Sequence, residues 1–150
     1  MITLNDVRKK ISDYCILYRK EGLPPIQESP VYILNENYVG EQCDSDARWP
    51  QAYPHAGNRG VYAIFGVDGL LYIGKASIGT IGERLSSYFQ YFKNREGFKT
   101  NPQHTWSAPP THVVVWAVPD DMPFEASALE EFLIGSFKGN LSDNRIGNRC

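Results

Sequence analysis

Apolar residues at Leu4, Val7, Ile11, Tyr14/Cys15 and Tyr18 recur every three or four positions. That is the spacing of one helical face, and it predicts a helix over 3–21 with Thr3 as its N-cap and Gly22 as its stop. Pro24-Pro25 then forbids helix, and the stretch to Asn58 is rich in Pro, Asn, Asp and Gly. Within it only Val31-Tyr32-Ile33-Leu34 reads as a strand. From Gly60 the pattern tightens into two apolar runs around a glycine-flanked turn, Gly66-Val67-Asp68-Gly69, which predicts a β-hairpin. Thr80-Ile81-Gly82-Glu83 fits a capping box and opens a helix expected to reach about Asn94, with Ile81, Leu85, Tyr88/Phe89 and Phe92 as its buried stripe. A mostly irregular loop is expected from Arg95 to Pro110. The β-branched run from His112 to Val118 then predicts one buried strand. Asp121, with Pro123 just inside, marks the start of a last helix ending near Gly139, and residues 140–150 read as loop.

With 150 residues, 42% of them hydrophobic, the chain can bury one core and is short for two. Two parts are expected: an N-terminal helix and irregular extension over 1–58, and a core over 59–150. No apolar run approaches a membrane span and the first residues lack a signal-peptide pattern, so no membrane role is expected. Cys15, Cys43 and Cys150 form neither a CxxC pair nor a disulfide framework, which favours a reducing, cytoplasmic setting. His55, His104 and His112 are too scattered for a zinc site. A formal charge of −2 leaves no general attraction for a polyanion, so a positive face must be local. Lys75, Arg84, Lys93, Arg95 and Lys99 are its candidates, although a solvated charged surface explains the last three equally well.

Two tripeptides carry the chemistry: Gly60-Val61-Tyr62 and, ten residues on, Tyr72-Ile73-Gly74, which runs into Lys75-Ala76. The hairpin between them is expected to bring two phenols and a lysine near one another. Arg84 and Tyr88 follow at i and i+4 on the next helix, and Leu129-Glu130-Glu131-Phe132-Leu133-Ile134 lies on the last one. Glu130 shares a helical face with Ala126, Leu133, Ile134 and Phe137, whereas Glu131 shares its face with Ser127, Gly135 and Lys138. Glu130 is therefore the carboxylate aimed at the core, a costly placement unless a cation compensates it. A salt bridge to Arg84 is the structural alternative.

In this order the motifs resemble the GIY-YIG nuclease superfamily, over roughly Gly60 to Asn144, with Val61 standing for the usual Ile. The resemblance implies an α/β fold, a three-stranded antiparallel sheet flanked by helices, here with an N-terminal helical extension. It also implies a Mg²⁺- or Mn²⁺-dependent endonuclease with a single active site, acting on DNA, with RNA not excluded. Glu130 would bind the metal and Arg84 and Lys75 the phosphate. Tyr62 or Tyr72 would activate water, Tyr62 being preferred, with a neighbouring cation lowering its pKa. Tyr88 would support the site from one turn along the helix. The family's asparagine is expected about twelve residues after the glutamate, where Ser142 stands, so Asn144 or, less well, Asn140 would fill that role. An RNA-directed nuclease or toxin effector and a non-catalytic nucleic-acid-binding module are the alternatives. Residues 1–58 are the place for a homodimer contact or a protein partner.

Overall fold

The structure is a computed structural model that describes residues 1–91, 98–100, 105–141, 143 and 144, with the backbone alone for 90, 91 and 98–100. Phe92, Lys93, Asn94, Arg95, His104, Ser142 and Cys150 lie outside the described residues. Three helices, α1 (Leu4–Tyr18), α2 (Ile81–Tyr88) and α3 (Glu125–Ser136), accompany eight strands. The strands are β1 (Gln27–Glu28), β2 (Tyr32–Ile33), β3 (Ala47–Arg48), β4 (Gly60–Gly66), β5 (Gly69–Ala76), β6 (Phe89–Tyr91), β7 (Phe98–Thr100) and β8 (Pro110–Ala117).

The sheet is not the three-stranded antiparallel one expected. It has six strands in the order β3-β2-β8-β4-β5, with β1 also paired to β8, and it is mixed because β2 and β3 run parallel. The three extra strands come from the extension. β1 and β2 lie along the free edge of β8, and Ser29, Pro30 and Val31 separate them. Pro30 has no amide to give the ladder. Ser29 continues it instead, donating its N–H to Val115 O and accepting Val115 N–H on Oγ. Pieces two residues long show no alternation, which is why the hydrophobic pattern missed two of them.

Other boundaries shift for physical reasons. α1 stops three residues early because Arg19 leaves the helix with extended backbone and carries its guanidinium to Glu125 and to Pro24 O. α2 ends at Tyr88 because the backbone turns extended at Phe89 and residues 89–91 pair antiparallel with β7, which lies in the stretch expected to be irregular. α3 opens at Glu125 rather than after Asp121, and no side chain caps it. Residues 119–124 form turns instead, Met122 N–H donating to Pro119 O and Glu125 N–H to Met122 O. Both threonine capping boxes are formed, Thr3 with Asp6 and Thr80 with Glu83.

Alternation along β4 and β5 divides the core. Val61, Ala63, Phe65 and Ile73 pack with Val7, Ile11, Leu129 and Leu133 on the side of α1 and α3. Tyr62, Ile64 and Ala76 pack with Ile81, Leu85 and Tyr88 on the side of α2. Among the described residues no helix is long and apolar enough to cross a membrane.

Candidate active site

Register builds the first half of the site. Tyr62 pairs with Gly74 and Ile64 with Tyr72, so both tyrosines stand on the α2 face of the hairpin. Their rings are 6.2 Å apart and nearly parallel. A Cβ on Gly74 would run into the Tyr62 ring, which explains the glycine of the second tripeptide: the phenol lies flat across it. Gly60 has a different task, since a Cβ there would collide with the Trp116 carbonyl and hold β4 off β8.

α2 completes this face with Tyr88. Its hydroxyl donates to the Tyr72 oxygen at 3.3 Å and lies 2.9 Å from that of Tyr62. A phenol has one proton, so Tyr62 is the donor to Tyr88, and the chain runs Tyr62 to Tyr88 to Tyr72. Tyr72 is its outer end, half-buried, while Tyr62 is wholly enclosed. Trp106 closes one side, its ring edge-on to Tyr72 and to Tyr88.

Burial, with Tyr88 and Tyr72 as neighbours, pushes the Tyr62 phenol well above the ordinary tyrosine value, and Arg84 offsets only part of this. Burial, Tyr88 and the charge of Glu130 push Tyr72 the same way. The expectation that nearby cations lower these phenols is therefore reversed, because desolvation outweighs a guanidinium at the rim. Nor can Tyr62, with no exposed surface, meet a water directly. Tyr72, half-buried, is the one of the two that keeps exposed surface.

Lys75 does not share the tyrosine face. It is opposite Val61 in the register, so its side chain leaves on the α3 side, where Nζ donates to Ser127 Oγ at 3.1 Å. Glu130 is on that same helix, half-buried, and Glu131 is exposed. Desolvation raises the Glu130 carboxyl above the usual carboxylate range, and Lys75 and then Arg84 pull it back. β5 is the last strand of the sheet, so the two halves meet around its edge: Tyr72, Tyr88 and Arg84 on one side, Lys75 and Glu130 on the other. Glu130 makes no ion pair with Arg84 and has no hydrogen-bond partner among the described residues. A carboxylate partly out of water and unpartnered, beside three groups suited to phosphate and water, fits a hard cation. Among the described residues no group of three or more His, Cys, Asp and Glu gathers to hold a metal, around Glu130 or elsewhere.

Asn144 is 1% exposed and is engaged at both ends of its amide: Oδ1 accepts Ile73 N–H at 3.0 Å and Nδ2 donates to Ile73 O at 2.7 Å. It straps the outer edge of β5 between Tyr72 and Gly74, a positioning task on the strand that carries Tyr72. Asn140 is exposed. Two features had no signal in the sequence. One is Trp106, which precedes β8 in a stretch read as loop. The other is the enclosed bidentate pair of Arg19 and Glu125, at 2.7 and 3.0 Å, to which Tyr14 Oη also donates. That pair satisfies itself and ties α1 to α3. No protein-family model, curated protein or solved structure matches this chain.

Proposed function

We propose that this protein is a divalent-metal-dependent endonuclease that hydrolyses nucleic-acid phosphodiesters, DNA in the first instance, in the manner of the GIY-YIG enzymes its motifs resemble. The observation that carries the reading is Glu130, a half-buried carboxylate without a hydrogen-bond partner among the described residues, across the edge strand from Arg84 and the phenol chain. Arg84 is exposed enough to meet a phosphate and carries the planar fork that grips two of its oxygens. Lys75, anchored on Ser127, adds a second charge from the opposite side of β5. Tyr72 Oη accepts its hydrogen bond from Tyr88, which leaves its own proton to orient a water for in-line attack on phosphorus. The attack forms one P–O bond, breaks another and transfers the water's proton to the departing oxygen. A divalent cation on Glu130 would supply positive charge to the phosphate oxygens and, by neutralising Glu130, would remove one of the influences that raise the Tyr72 phenol.

The free Cys15 and Cys43 suit a cytoplasmic enzyme. The neutral, buried phenols favour one rival, a nucleic-acid-binding module without catalysis. Supercoiled plasmid and, separately, single-stranded RNA incubated with Mg²⁺, Mn²⁺ or EDTA decide between them. Nicking that requires metal and disappears in Glu130→Gln is expected. Binding without cleavage under every metal condition would leave the module.

A further inference from the structure

The faces of α2 divide its surroundings. Arg84 and Tyr88 serve the phenol cluster, while Gly82, Ser86 and Phe89, at i, i+4 and i+7, form a second stripe. That stripe lines a cavity of about 440 Å³ whose opposite wall carries Trp49, Gln51 and Tyr53. The volume falls within the roughly 300–1,000 Å³ of small-ligand sites.

The far wall is held in place before any ligand arrives. Trp49 N–H donates to Ile33 O at 2.9 Å, and Tyr32 Oη donates to Gln51 O at 2.6 Å. The Tyr32 and Tyr53 rings are 4.7 Å apart, and Gly82 N–H donates to Ala56 O at 2.9 Å. A Cβ on Gly82 would come 2.9 Å from Ala56 Cβ, so glycine is what lets this segment close on the helix. The lining is aromatic, with two polar groups left over. Gln51 Oε1 accepts Arg48 N–H at 2.9 Å, which fixes the amide and leaves its NH₂ to donate. The Ser86 hydroxyl has no partner among the described residues.

We propose that this cavity receives one unstacked nucleobase of the substrate strand, within one or two nucleotides of the phosphodiester held at Glu130 and Arg84. The inference rests on the nuclease reading and adds a substrate class to it. A base offers a flat π-face to aromatic side chains and hydrogen-bonding edges to Gln51 and Ser86, and a cavity of this size has room for it. The cavity and the phosphate site share one short helix about 10 Å across, so the same strand can reach both. The preferred substrate therefore has an unpaired base beside the cut. Intact duplex reacts more slowly because a base must first be extruded. Deoxyribose and ribose strands both offer flat bases with hydrogen-bonding edges and are separate arms of the test.

The test uses full-length protein with Glu130→Gln to prevent cleavage. Single-stranded deoxyribo- and ribo-oligomers containing 2-aminopurine are compared with an all-abasic oligomer by anisotropy and base fluorescence. The abasic strand should bind about 5- to 100-fold more weakly. Ser86→Trp, which plugs the cavity from an exposed position, should bring the base-containing strands down to the abasic level and abolish quenching of 2-aminopurine. Abasic binding and the melting temperature should stay unchanged, and Ser86→Leu repeats the test with a smaller plug. Equal affinity for abasic and base-containing strands, or full affinity in both plugged variants, overturns the proposal. If the unsubstituted protein cleaves and the plugs leave cleavage and binding unaltered, the pocket fails and the nuclease stands. If it cleaves nothing while the plugs still abolish quenching, the nuclease reading fails and the base pocket stands.

Discussion

Glu130 sets stability against activity at a single position. Desolvation lets the native carboxyl keep its proton to higher pH than the unfolded chain does. In that window the unfolded state binds fewer protons, so stability is complete below the ordinary Glu value and falls as pH rises through the native one. Glu130→Gln should remove this loss: urea titrations from pH 4 to 7 should show the variant gaining on the wild type as pH rises, while cleavage falls by about 100-fold or more. Mg²⁺ should raise the melting temperature of the wild type and leave that of Glu130→Gln unchanged. Glu131→Ala should alter neither. The helical period predicted this difference between adjacent carboxylates. Period-two alternation could equally have put Lys75 opposite Tyr72, since their separation of three is odd, but the motif drew the lysine to the tyrosines. The phenols misled for another reason: how far each is buried depends on α2 and Trp106, which no local pattern reveals. Gly74→Ala tests the packing between them. A Cβ against the Tyr62 ring should cost about 1–3 kcal/mol, measured by chemical denaturation. It should also reduce activity, because the phenol chain shifts. An unperturbed variant would mean that the Tyr62 ring does not lie across this glycine.

At the level of elements, the long amphipathic runs and the apolar run that holds β2 were legible, and the two-residue strands β1 and β3 were not. The hairpin, β8 and both threonine caps declare themselves within a few residues. β1 forms on the open edge of β8, where Ser29 replaces a backbone acceptor, and β3 forms on β2, so their cause is tertiary. Helix ends were misjudged where a distant partner decided them. Arg19 leaves α1 for Glu125, 106 residues away, and no spacing rule reaches that far. The pair is enclosed and bidentate, and burial together with Glu125 pushes Tyr14 up to about 12. Glu125→Ala would strand the guanidinium and should destabilise the protein by about 3–5 kcal/mol in urea titration. Replacing Arg19, Glu125 and Tyr14 together by Met, Leu and Phe should recover most of that loss. If the triple variant is as unstable as the single one, the cluster contributes more than mutual compensation of buried charge.

The whole molecule must hold a polyanion while carrying a net charge of −2. Several of its cations are already committed. Arg8 pairs with Glu28 at 3.0 Å, and Arg19 is enclosed with Glu125, so α1 presents less positive surface than its sequence suggests. Arg84 and Lys75 flank one edge of the sheet and remain available to phosphate. Binding should therefore rest on a few contacts and on bases. For Glu130→Gln protein and labelled duplex DNA, the log–log slope of affinity against salt should be shallow, about −2 to −4, which corresponds to two to four neutralised phosphates. Affinity near physiological salt should lie at micromolar or weaker, the non-specific range of about 10⁻⁴ to 10⁻⁶ M. Arg84→Ala should bring the slope closer to zero by about one, whereas Arg8→Ala should leave it unchanged, because that guanidinium already answers a carboxylate. A slope near −8 would require a broad basic face, and Lys9, Lys10 and Lys20 of the extension would be the residues to replace first. A shallow slope combined with tighter single-strand than duplex binding would locate the remaining affinity in contacts that salt does not screen, and the aromatic wall of Trp49, Tyr53 and Phe89 is where this chain can make them.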